Sequence, residues 1–424
     1  MGAMPRPAKL LLLLTSINLV NYLDRYVVAA VLDPLGRELH LSNAQLGRLT
    51  FVFILVYMLS APLFGVLADR LHRPRLVAAG VALWSLATLG AALVHSYPAL
   101  LLTRSLVGVG EAAYASLGPA MLADCFPVQD RARKFTWFYL AIPVGSALGY
   151  GLGGVVAGAL GWRAAFLIAG LPGLLVAAWM AIQADPVRGA FDEAGQGAGR
   201  IPLSQGLAAI FRNRIWLACT GSYVAYTFAM GALSTWGPTL LQRRFGVGLS
   251  QAGLVFGGFA VATGIVGTFL GGILTDRLQG RWRDAGLWIS GLTLLAAAPV
   301  VALALRTGSL GLAYLCFFLG MLLLFVNTSP VNALTVSCLP ASIRATGTAL
   351  NVLFIHLFGD ALSPEWVGRR TDALEAAGLA AGPALGRAML IAVPAVLVSG
   401  LLLWGAKARA GTAEAAGRGR MGEA

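Results

Sequence analysis

The chain has 424 residues, of which 58% are hydrophobic and only 12% are charged, and its mean hydropathy is +0.77. Soluble domains carry roughly 25% charged residues, so this composition excludes an ordinary soluble domain. The net charge of +13 would suit a nucleic-acid binder, but apolar stretches recur from end to end and indicate a polytopic helical membrane protein.

Twelve apolar segments are each long enough to cross a bilayer as a helix. The predicted spans are 10–32, 46–68, 76–96, 98–122, 135–158, 163–183, 214–238, 251–274, 285–305, 309–333, 345–363 and 384–405. With the N-terminus in the cytoplasm, most of the 31 Lys and Arg residues flank the cytoplasmic ends of these spans, as the positive-inside rule requires. We therefore expect a multi-pass protein of the cell inner (plasma) membrane with both termini in the cytoplasm, and no nucleic-acid partner.

The first span, LLLLLTSINLVNYLDRYVVAAVL, follows a basic N-terminus and so invites comparison with a cleaved signal peptide. It is too long for one, it carries Asp24 and Arg25, and eleven more spans follow it. The prediction is a retained transmembrane helix. The four cysteines form no CxxC pair, which favours apolar packing over a disulfide or a metal site.

Spans 1 and 4 carry four ionisable residues away from their ends: Asp24, Arg25, Arg104 and Glu111. Inserting such a side chain at the centre of a membrane helix costs roughly 2.5–3.5 kcal/mol of free energy on insertion scales, so these residues usually face a partner or a cavity. One interpretation is that they neutralise each other and fix the packing of spans 1 and 4. The interpretation we favour assigns Arg25 and Arg104 to an anionic head group, because guanidinium groups match phosphate and carboxylate. Asp24 and Glu111 would then bind the coupling proton and bias alternating access.

An internal repeat divides the chain. GVLADRL at 65–71 recurs as GILTDRL at 272–278, at the ends of spans 2 and 8, and such duplication is common in secondary transporters. The predicted organisation is an N-terminal six-helix bundle over 1–183, a cytoplasmic linker over 184–213, a C-terminal six-helix bundle over 214–405 and a cytoplasmic tail over 406–424.

Several motifs carry a family resemblance. GVLADRLHRPR at 65–75 resembles the loop 2–3 signature of the major facilitator superfamily. Four other segments resemble the bacterial members of the Spinster (Spns) family of lipid transporters: NYLDRYVVAAVL at 21–32, RSLVGVGEAAYASLGPAMLAD at 104–124, FYLAIPVGSALGYGLGG at 138–154 and HLFGDALSP at 356–364. The resemblance implies an all-α membrane fold of twelve helices in two six-helix bundles. It also implies a monomer that transports lysophospholipid or sphingosine-phosphate-like lipids without a cofactor.

Further substrate-binding candidates are polar residues in apolar spans: Asn21, Tyr57, Tyr150 and Asn327. As bare sequence features, Tyr57, Tyr150 and Asn327 fit helix packing better than contact with a ligand. The resemblance favours Tyr57 and Tyr150 and adds His356, which shares a helix face with an aspartate four residues later.

The loop 2–3 signature predicts a gate at the cytoplasmic face. Asp69 is placed to meet a helix N-terminus, and Arg70 and Arg73 to pair with Asp124 at the end of span 4. These contacts would stabilise the outward-facing state by closing the cytoplasmic side. The alternative is positive-inside charge alone, which does not explain the aspartate.

Span 5 carries a glycine stripe. Gly145, Gly149 and Gly153 are spaced at i, i+4 and i+8, and Pro143 lies two residues before the first of them. The stripe predicts that another helix approaches span 5 closely, and the proline predicts a bend.

The leading functional prediction is a proton-coupled secondary transporter of an amphiphilic anionic lipid. The alternative is a proton-coupled transporter of small organic anions such as sugar acids or carboxylates, and a drug exporter ranks third. The chain has no HExxH, HxxxH or GxxxxGK[ST] motif, which argues against an enzyme or an ATP-driven pump. Eight aromatic residues of the C-terminal half fit either an apolar site for the lipid tail or ordinary membrane packing: Tyr223, Tyr226, Phe228, Trp236, Phe256, Phe317, Phe318 and Phe325.

Overall fold

The computed structural model describes residues 7–191, 202–282 and 284–421, although the side chains of Asp69, of six scattered residues and of 407–421 are outside that description. This part of the chain folds into sixteen α-helices and one π-helical turn. The helices are α1 (Pro7–Glu38), α2 (Asn43–Arg70), α3 (Arg73–Ala91), α4 (Tyr97–Ala123), α5 (Val128–Leu160), α6 (Trp162–Ala181), α7 (Leu203–Arg212), α8 (Arg214–Phe245), α9 (Leu249–Gln279), α10 (Ala285–Arg306), α11 (Leu310–Val326), α12 (Thr328–Ser337), α13 (Ala341–Ile355), α14 (Leu362–Ala376), α15 (Ala381–Met389) and α16 (Ala392–Met421), with the π-helical turn at His356–Asp360.

Local sequence signals set several helix ends. Ser42 and Gln45 form a reciprocal capping box at the start of α2, which satisfies two backbone donors that the helix itself leaves open. Gly161 separates α5 from α6 with a φ of 87°, a conformation that favours glycine. Asn327 divides predicted span 10 into α11 and α12.

Nine helices of the described residues are long and apolar enough to cross a membrane. Three of the twelve predicted spans fall outside this set: α1, α8, and the pair α13 and α14. These segments carry more polar residues than the rest, including Asp24 and Arg25 in α1 and His356 between α13 and α14. The three least apolar segments are thus the ones that supply several of the predicted site residues.

The chain forms two compact units that do not coincide with the two sequence halves. The first unit is Met1–Gln196, Ser234–Val261 and Pro364–Leu385, and the second is Gly197–Leu233, Ala262–Ser363 and Gly386–Ala424. The first unit therefore includes the end of α8, the start of α9 and most of α14. Those segments join it through direct contacts such as the hydrogen bond from the Tyr150 hydroxyl to the Ser234 carbonyl. The residue bounds predicted for the two halves, the linker and the tail stay a prediction.

In the first unit, α5 packs closely against α1. A Cβ atom built on Gly145 would lie 2.5 Å from the carbonyl oxygen of Leu19, and one on Gly149 would lie 2.5 Å from that of Leu23. A Cβ atom built on Gly153 would lie 3.0 Å from the Val27 side chain and 3.1 Å from that of Ala30. The predicted close approach to the glycine stripe is confirmed, and the approaching helix is α1.

Helix α3 is packed just as closely against α4 in the same unit. A Cβ atom built on Gly80 would lie 2.7 Å from the Gly110 carbonyl oxygen, and one built on Gly110 would lie 2.5 Å from the Gly80 carbonyl oxygen. Small residues at such crossings let the backbones of membrane helices approach. This packing fixes which face of α3 turns toward α1.

The second unit uses polar contacts as well as small residues. Ser222 of α8 and Ser399 of α16 share a hydrogen bond of 2.8 Å, and the Thr227 hydroxyl donates to the Ile355 carbonyl at 2.8 Å. A buried cluster of Ile210, Trp216, Leu339 and Ile343 holds α7 against α8 and α13. The predicted 184–213 linker thus contains a packed amphipathic helix, because Ile210 buries one face of α7.

Candidate transport site

The first functional element is a buried hydrogen bond between α1 and α3. The Thr88 hydroxyl donates to Asp24 Oδ2 at 2.7 Å, and the two residues are 0% and 1% exposed. Among the described residues, Asp24 Oδ1 has no hydrogen-bond partner. Arg104 and Glu111 of α4 act on Asp24 electrostatically. Asp24 is therefore a carboxyl group closed off from solvent, as a proton-binding residue of a membrane helix can be.

The second element is an ion pair between α1 and α4. Arg25 Nη2 donates to Glu111 Oε2 at 2.5 Å, with the Arg25 side chain 23% exposed and the Glu111 side chain fully buried. The second carboxylate oxygen of Glu111 has no hydrogen-bond partner in the part of the chain that the structure describes. The guanidinium carbon of Arg25 lies 5.0–5.5 Å from the ring centres of Tyr22, Phe53 and Tyr57. Arg25 is thus a cation held by one carboxylate and bordered by three aromatic rings.

Arg104 has a different environment from Arg25. It is 3% exposed, and its guanidinium carbon lies 5.5 Å from the Phe166 ring centre. Its Nε and Nη2 atoms have no hydrogen-bond partner within the described ranges. Both Asp24 and Glu111 attract the Arg104 guanidinium, and Asp24 does so more strongly. The sequence analysis predicts that both arginines bind a head group, and of the two it is Arg25 that is partly exposed in this structure.

Among the other predicted ligands in the first unit, Tyr57 lies beside Arg25 and Asn21 lies three residues before Asp24 on α1. Asn21 is 4% exposed, and its Nδ2 has no hydrogen-bond partner. Tyr150 lies apart from this group. Its hydroxyl donates to Ser234 at 2.6 Å, and its ring packs against those of Tyr26 and Phe256.

Asn327 and His356 belong to the second unit. Asn327 is fully buried, and its side-chain amide donates to the Leu324 carbonyl at the break between α11 and α12. His356 Nδ1 lies 3.0 Å from Asp360 Oδ1, with both side chains about one-quarter exposed. The π-helical turn His356–Asp360 contains both residues, and such turns recur at functional sites.

Most of the aromatic residues expected to accept a tail are core residues in the structure. Tyr223, Tyr226 and Phe317 are at most 7% exposed in the second unit, as are Trp236 and Phe256 in the first. Three are only partly buried: Phe228, Phe318 and Phe325.

The predicted gate is centred on Arg73. Its Nη1 donates to Asp124 at 2.6 Å and its Nε donates to Asp185 at 2.8 Å, while Nη2 reaches the Pro186 carbonyl. Arg70 is exposed, and the side chain of Asp69 lies outside the described residues. The Arg73–Asp124 pairing follows the sequence prediction. Asp185 was missed because it lies in the predicted linker, where a charge is unremarkable.

The opposite end of the first unit holds an ion-pair network that the sequence analysis did not assign. Arg243 Nε donates to Asp33 at 2.7 Å and its Nη1 donates to Asn43 at 2.7 Å. Arg48 donates to Glu365 at 2.8 Å. The partners in the Arg243–Asp33 and Arg48–Glu365 pairs are 210 and 317 residues apart in the sequence. The one sequence signal for these pairs is that each partner lies near the end of a predicted span.

Two more contacts complete this end. The Asp372 carboxylate accepts from the backbone N–H groups of Asn43 and Ala44 at 2.9 Å each, so it caps the N-terminus of α2 and meets the positive end of the helix dipole. Burial raises the pKa of Glu365, but hydrogen bonds from Arg48 and Arg369 outweigh burial and hold the pKa below its usual value.

Comparison with known proteins identifies the family. The model of the Major Facilitator Superfamily matches residues 14–364. Protein spinster homolog 3 of Danio rerio is 34% identical over 375 residues, covering 84% of this chain and 75% of the fish protein. Human protein spinster homolog 1 is 35% identical, covering 87% and 74%. The chain belongs to the Spinster family of the major facilitator superfamily. Protein spinster of Drosophila melanogaster is 33% identical over 84% of this chain, which spans 61% of the fly protein.

Solved structures agree with this membership. Two crystal structures of a bacterial homologue of the human lysosomal transporter Spinster are each 25% identical and cover 96% of both chains. The inward-facing unoccupied form gives a TM-score of 0.83 and the inward-facing occupied form 0.78. A D-xylose–proton symporter shares the fold at 17% identity and a TM-score of 0.74. The predicted fold of twelve transmembrane helices in two six-helix bundles is confirmed, and the Spinster family makes this chain a membrane transporter rather than an enzyme.

Proposed function

We propose that this Spinster-family chain is a proton-coupled transporter of an amphiphilic anionic lipid, such as a lysophospholipid, that works by alternating access. The observation that carries the proposal is the Arg25–Glu111 pair with its three aromatic neighbours. A guanidinium that is already paired with a protein carboxylate can exchange that carboxylate for a phosphate of the cargo.

Proton and lipid are coupled by this exchange. When Glu111 takes up a proton, it loses its charge and its hold on Arg25, so the arginine is released to bind an anionic head group. When Glu111 releases the proton, it competes for Arg25 and favours release of the cargo. Each ligand thereby biases the populations of the two access states.

The surroundings of Arg25 favour an amphiphile over a small hydrophilic anion. Tyr22, Phe53 and Tyr57 border the cation, so an anion bound there also meets apolar surface. Burying a lipid chain against such surface is favourable, at about 25 cal/mol per Å², whereas a small dicarboxylate gains little from it. We further propose an inner-membrane location with both termini in the cytoplasm, from the distribution of basic residues.

The test measures binding of a lysophosphatidylglycerol and of succinate to purified protein, with the variants Arg25→Gln and Arg163→Gln alongside. Arg163 is a matched control because it also pairs with a glutamate, Glu38, in the same unit. We expect lysolipid binding that Arg25→Gln weakens at least tenfold and Arg163→Gln leaves unchanged. Binding of succinate alone would instead make the chain a transporter of small organic anions.

A further inference from the structure

We propose that Thr88 is the positioning residue of the proton site at Asp24: it orients the Asp24 carboxyl group and stabilises its charged form. The proposal starts from the 2.7 Å hydrogen bond that Thr88 Oγ1 donates to Asp24 Oδ2. The bond joins α3 to α1 across 64 residues of sequence, and both residues are buried. This role of Thr88 rests on the proposed proton coupling of this chain.

Thr88 differs from the buried threonines Thr103 and Thr335 in where its hydroxyl points. The hydroxyl of Thr103 donates to the Leu100 carbonyl of its own helix at 2.8 Å, and that of Thr335 donates to Val331 in the same way. This is the usual arrangement of threonine in a helix. The Thr88 hydroxyl instead crosses to a neighbouring helix and meets a carboxylate.

Helix packing holds Thr88 in place. The mutual contact of Gly80 with Gly110 brings the backbones of α3 and α4 together, two turns before Thr88 on α3. The side chain of Trp84 meets Gly110 from the same helix. The position of the Thr88 hydroxyl is therefore set by backbone contacts rather than by the carboxyl group that it serves.

The charged groups that face Asp24 come from two helices. Arg104 and Glu111 act on it from α4 and Arg25 from its own helix. Of the residues that the structure describes, Thr88 makes the one side-chain hydrogen bond to Asp24, whose other oxygen has no partner. A hydrogen bond to the charged form of a carboxyl group favours that form, and a hydroxyl can also accept from the protonated form. Thr88 thus serves both states of the site and favours the deprotonated one.

The test is the pH profile of transport. Fluorescent lysophosphatidylglycerol uptake is followed in proteoliposomes from pH 5 to pH 9 for the wild type, Thr88→Val, Thr88→Ser and Thr103→Val. Valine keeps the shape and removes the hydroxyl, serine keeps the hydroxyl, and Thr103→Val controls for loss of a buried hydroxyl elsewhere. We expect the midpoint in Thr88→Val to move up by about one pH unit, with Thr88→Ser and Thr103→Val matching the wild type.

Each outcome is decisive. An unchanged midpoint in Thr88→Val, when Asp24→Asn abolishes the pH dependence, overturns the role of Thr88 and leaves the proposed function standing. A wild type without pH dependence removes proton coupling itself, and the role of Thr88 with it. If Thr88→Val does not fold, Thr88→Ser and Thr88→Ala provide the same comparison, because they differ by the hydroxyl alone.

Discussion

Two arginines that look alike in the sequence have separate surroundings in the structure. Both lie in apolar spans, but Arg25 is paired with Glu111 and partly exposed, whereas Arg104 is buried beside Phe166 and attracted to Asp24. The difference arises because adjacent residues on α1 point about 100° apart, so Asp24 and Arg25 meet different partners on α4. A charge count along the sequence cannot separate the two environments.

The exchange of Glu111 for a head group predicts an unusual result for Glu111→Gln. A neutral side chain no longer competes for Arg25, so lysophosphatidylglycerol should bind about tenfold more tightly at pH 8. The difference in affinity between pH 6 and pH 8 should also shrink. Isothermal titration calorimetry at the two pH values measures both effects.

Glu38→Gln is the control for that experiment. Glu38, at the end of α1, also pairs with an arginine, Arg163. The Glu38→Gln variant should keep the wild-type affinity for lysophosphatidylglycerol and the wild-type pH dependence of that affinity. Unaltered pH dependence in Glu111→Gln would mean that Glu111 is not the group that competes with the cargo.

Residues of the candidate site were predictable from the sequence where a charge stood in an apolar run. Asp24, Arg25, Arg104 and Glu111 are of this kind, and the structure brings them together in one unit. Thr88 was not predictable, because threonine is ordinary in a membrane helix and its role appears only once α3 is placed beside α1. Tyr150 was predicted from its motif, yet its hydroxyl is used by the Ser234 carbonyl.

At the scale of the helices, the pairing of α5 with α1 depends on the absence of side chains. The carbonyl oxygens of Leu19 and Leu23 occupy the space in which Gly145 and Gly149 would carry a Cβ atom. Backbones this close also allow Cα–H···O contacts, which recur at helix–helix interfaces.

Gly149→Ala should therefore destabilise the protein. The added methyl group would lie 2.5 Å from the Leu23 carbonyl oxygen, and overpacking of this kind costs about 1–3 kcal/mol. Thermal unfolding in detergent should show a lower Tm. Gly258→Ala on α9 is the matched control, since a Cβ atom there meets nothing within 4 Å and alanine is the better helix former. Equal Tm values for the two variants would contradict the close packing.

Helix existence was easier to predict than helix continuity. Hydropathy located the apolar segments, but it gave no sign of the break at Asn327 or of the π-helical turn at His356–Asp360. Both interruptions depend on local hydrogen bonding, such as the bond from Ala361 N–H to the His356 carbonyl. Helix α7 was assigned to a linker because ten residues are too few to register as a span.

At the scale of the whole molecule, the first unit gathers three stretches of chain that are distant in sequence. Arg243 joins Asp33, Arg48 joins Glu365, and Asp372 caps α2. No local pattern predicts such pairs, because each partner alone looks like an ordinary charge at a span end. They follow from the tertiary fold, and this is why the unit boundaries differ from the predicted halves.

The Arg48–Glu365 pair predicts an acid dependence of stability. The pKa of Glu365 in the folded protein is below its ordinary value of 4.5, so its charged form is favoured by folding. This contribution is fully present above the ordinary value and is lost as the pH falls through the lowered pKa. Glu365→Gln should lower the Tm at pH 7, and its difference from the wild type should shrink toward pH 4.

The measurement is thermal unfolding of both proteins in detergent at four or five pH values. Glu375→Gln serves as the comparison, because Glu375 lies 3.9 Å from Arg243 and is about one-third exposed, where an ion pair contributes little. A Tm difference between Glu365→Gln and the wild type that stays constant down to pH 4 would rule out this linkage.

The contact of Gly149 with the Leu23 carbonyl also bears on how variants of this transporter are interpreted. Leu23 immediately precedes Asp24 and Arg25, so any side chain forced in at Gly149 displaces the backbone that carries both charges. In a saturation mutagenesis screen for transport, intolerant positions on α5 should recur every four residues, at Gly145, Gly149 and Gly153. Such a map would resemble a ligand-binding face, although these glycines face α1 and the map would report the pairing of two helices rather than a ligand.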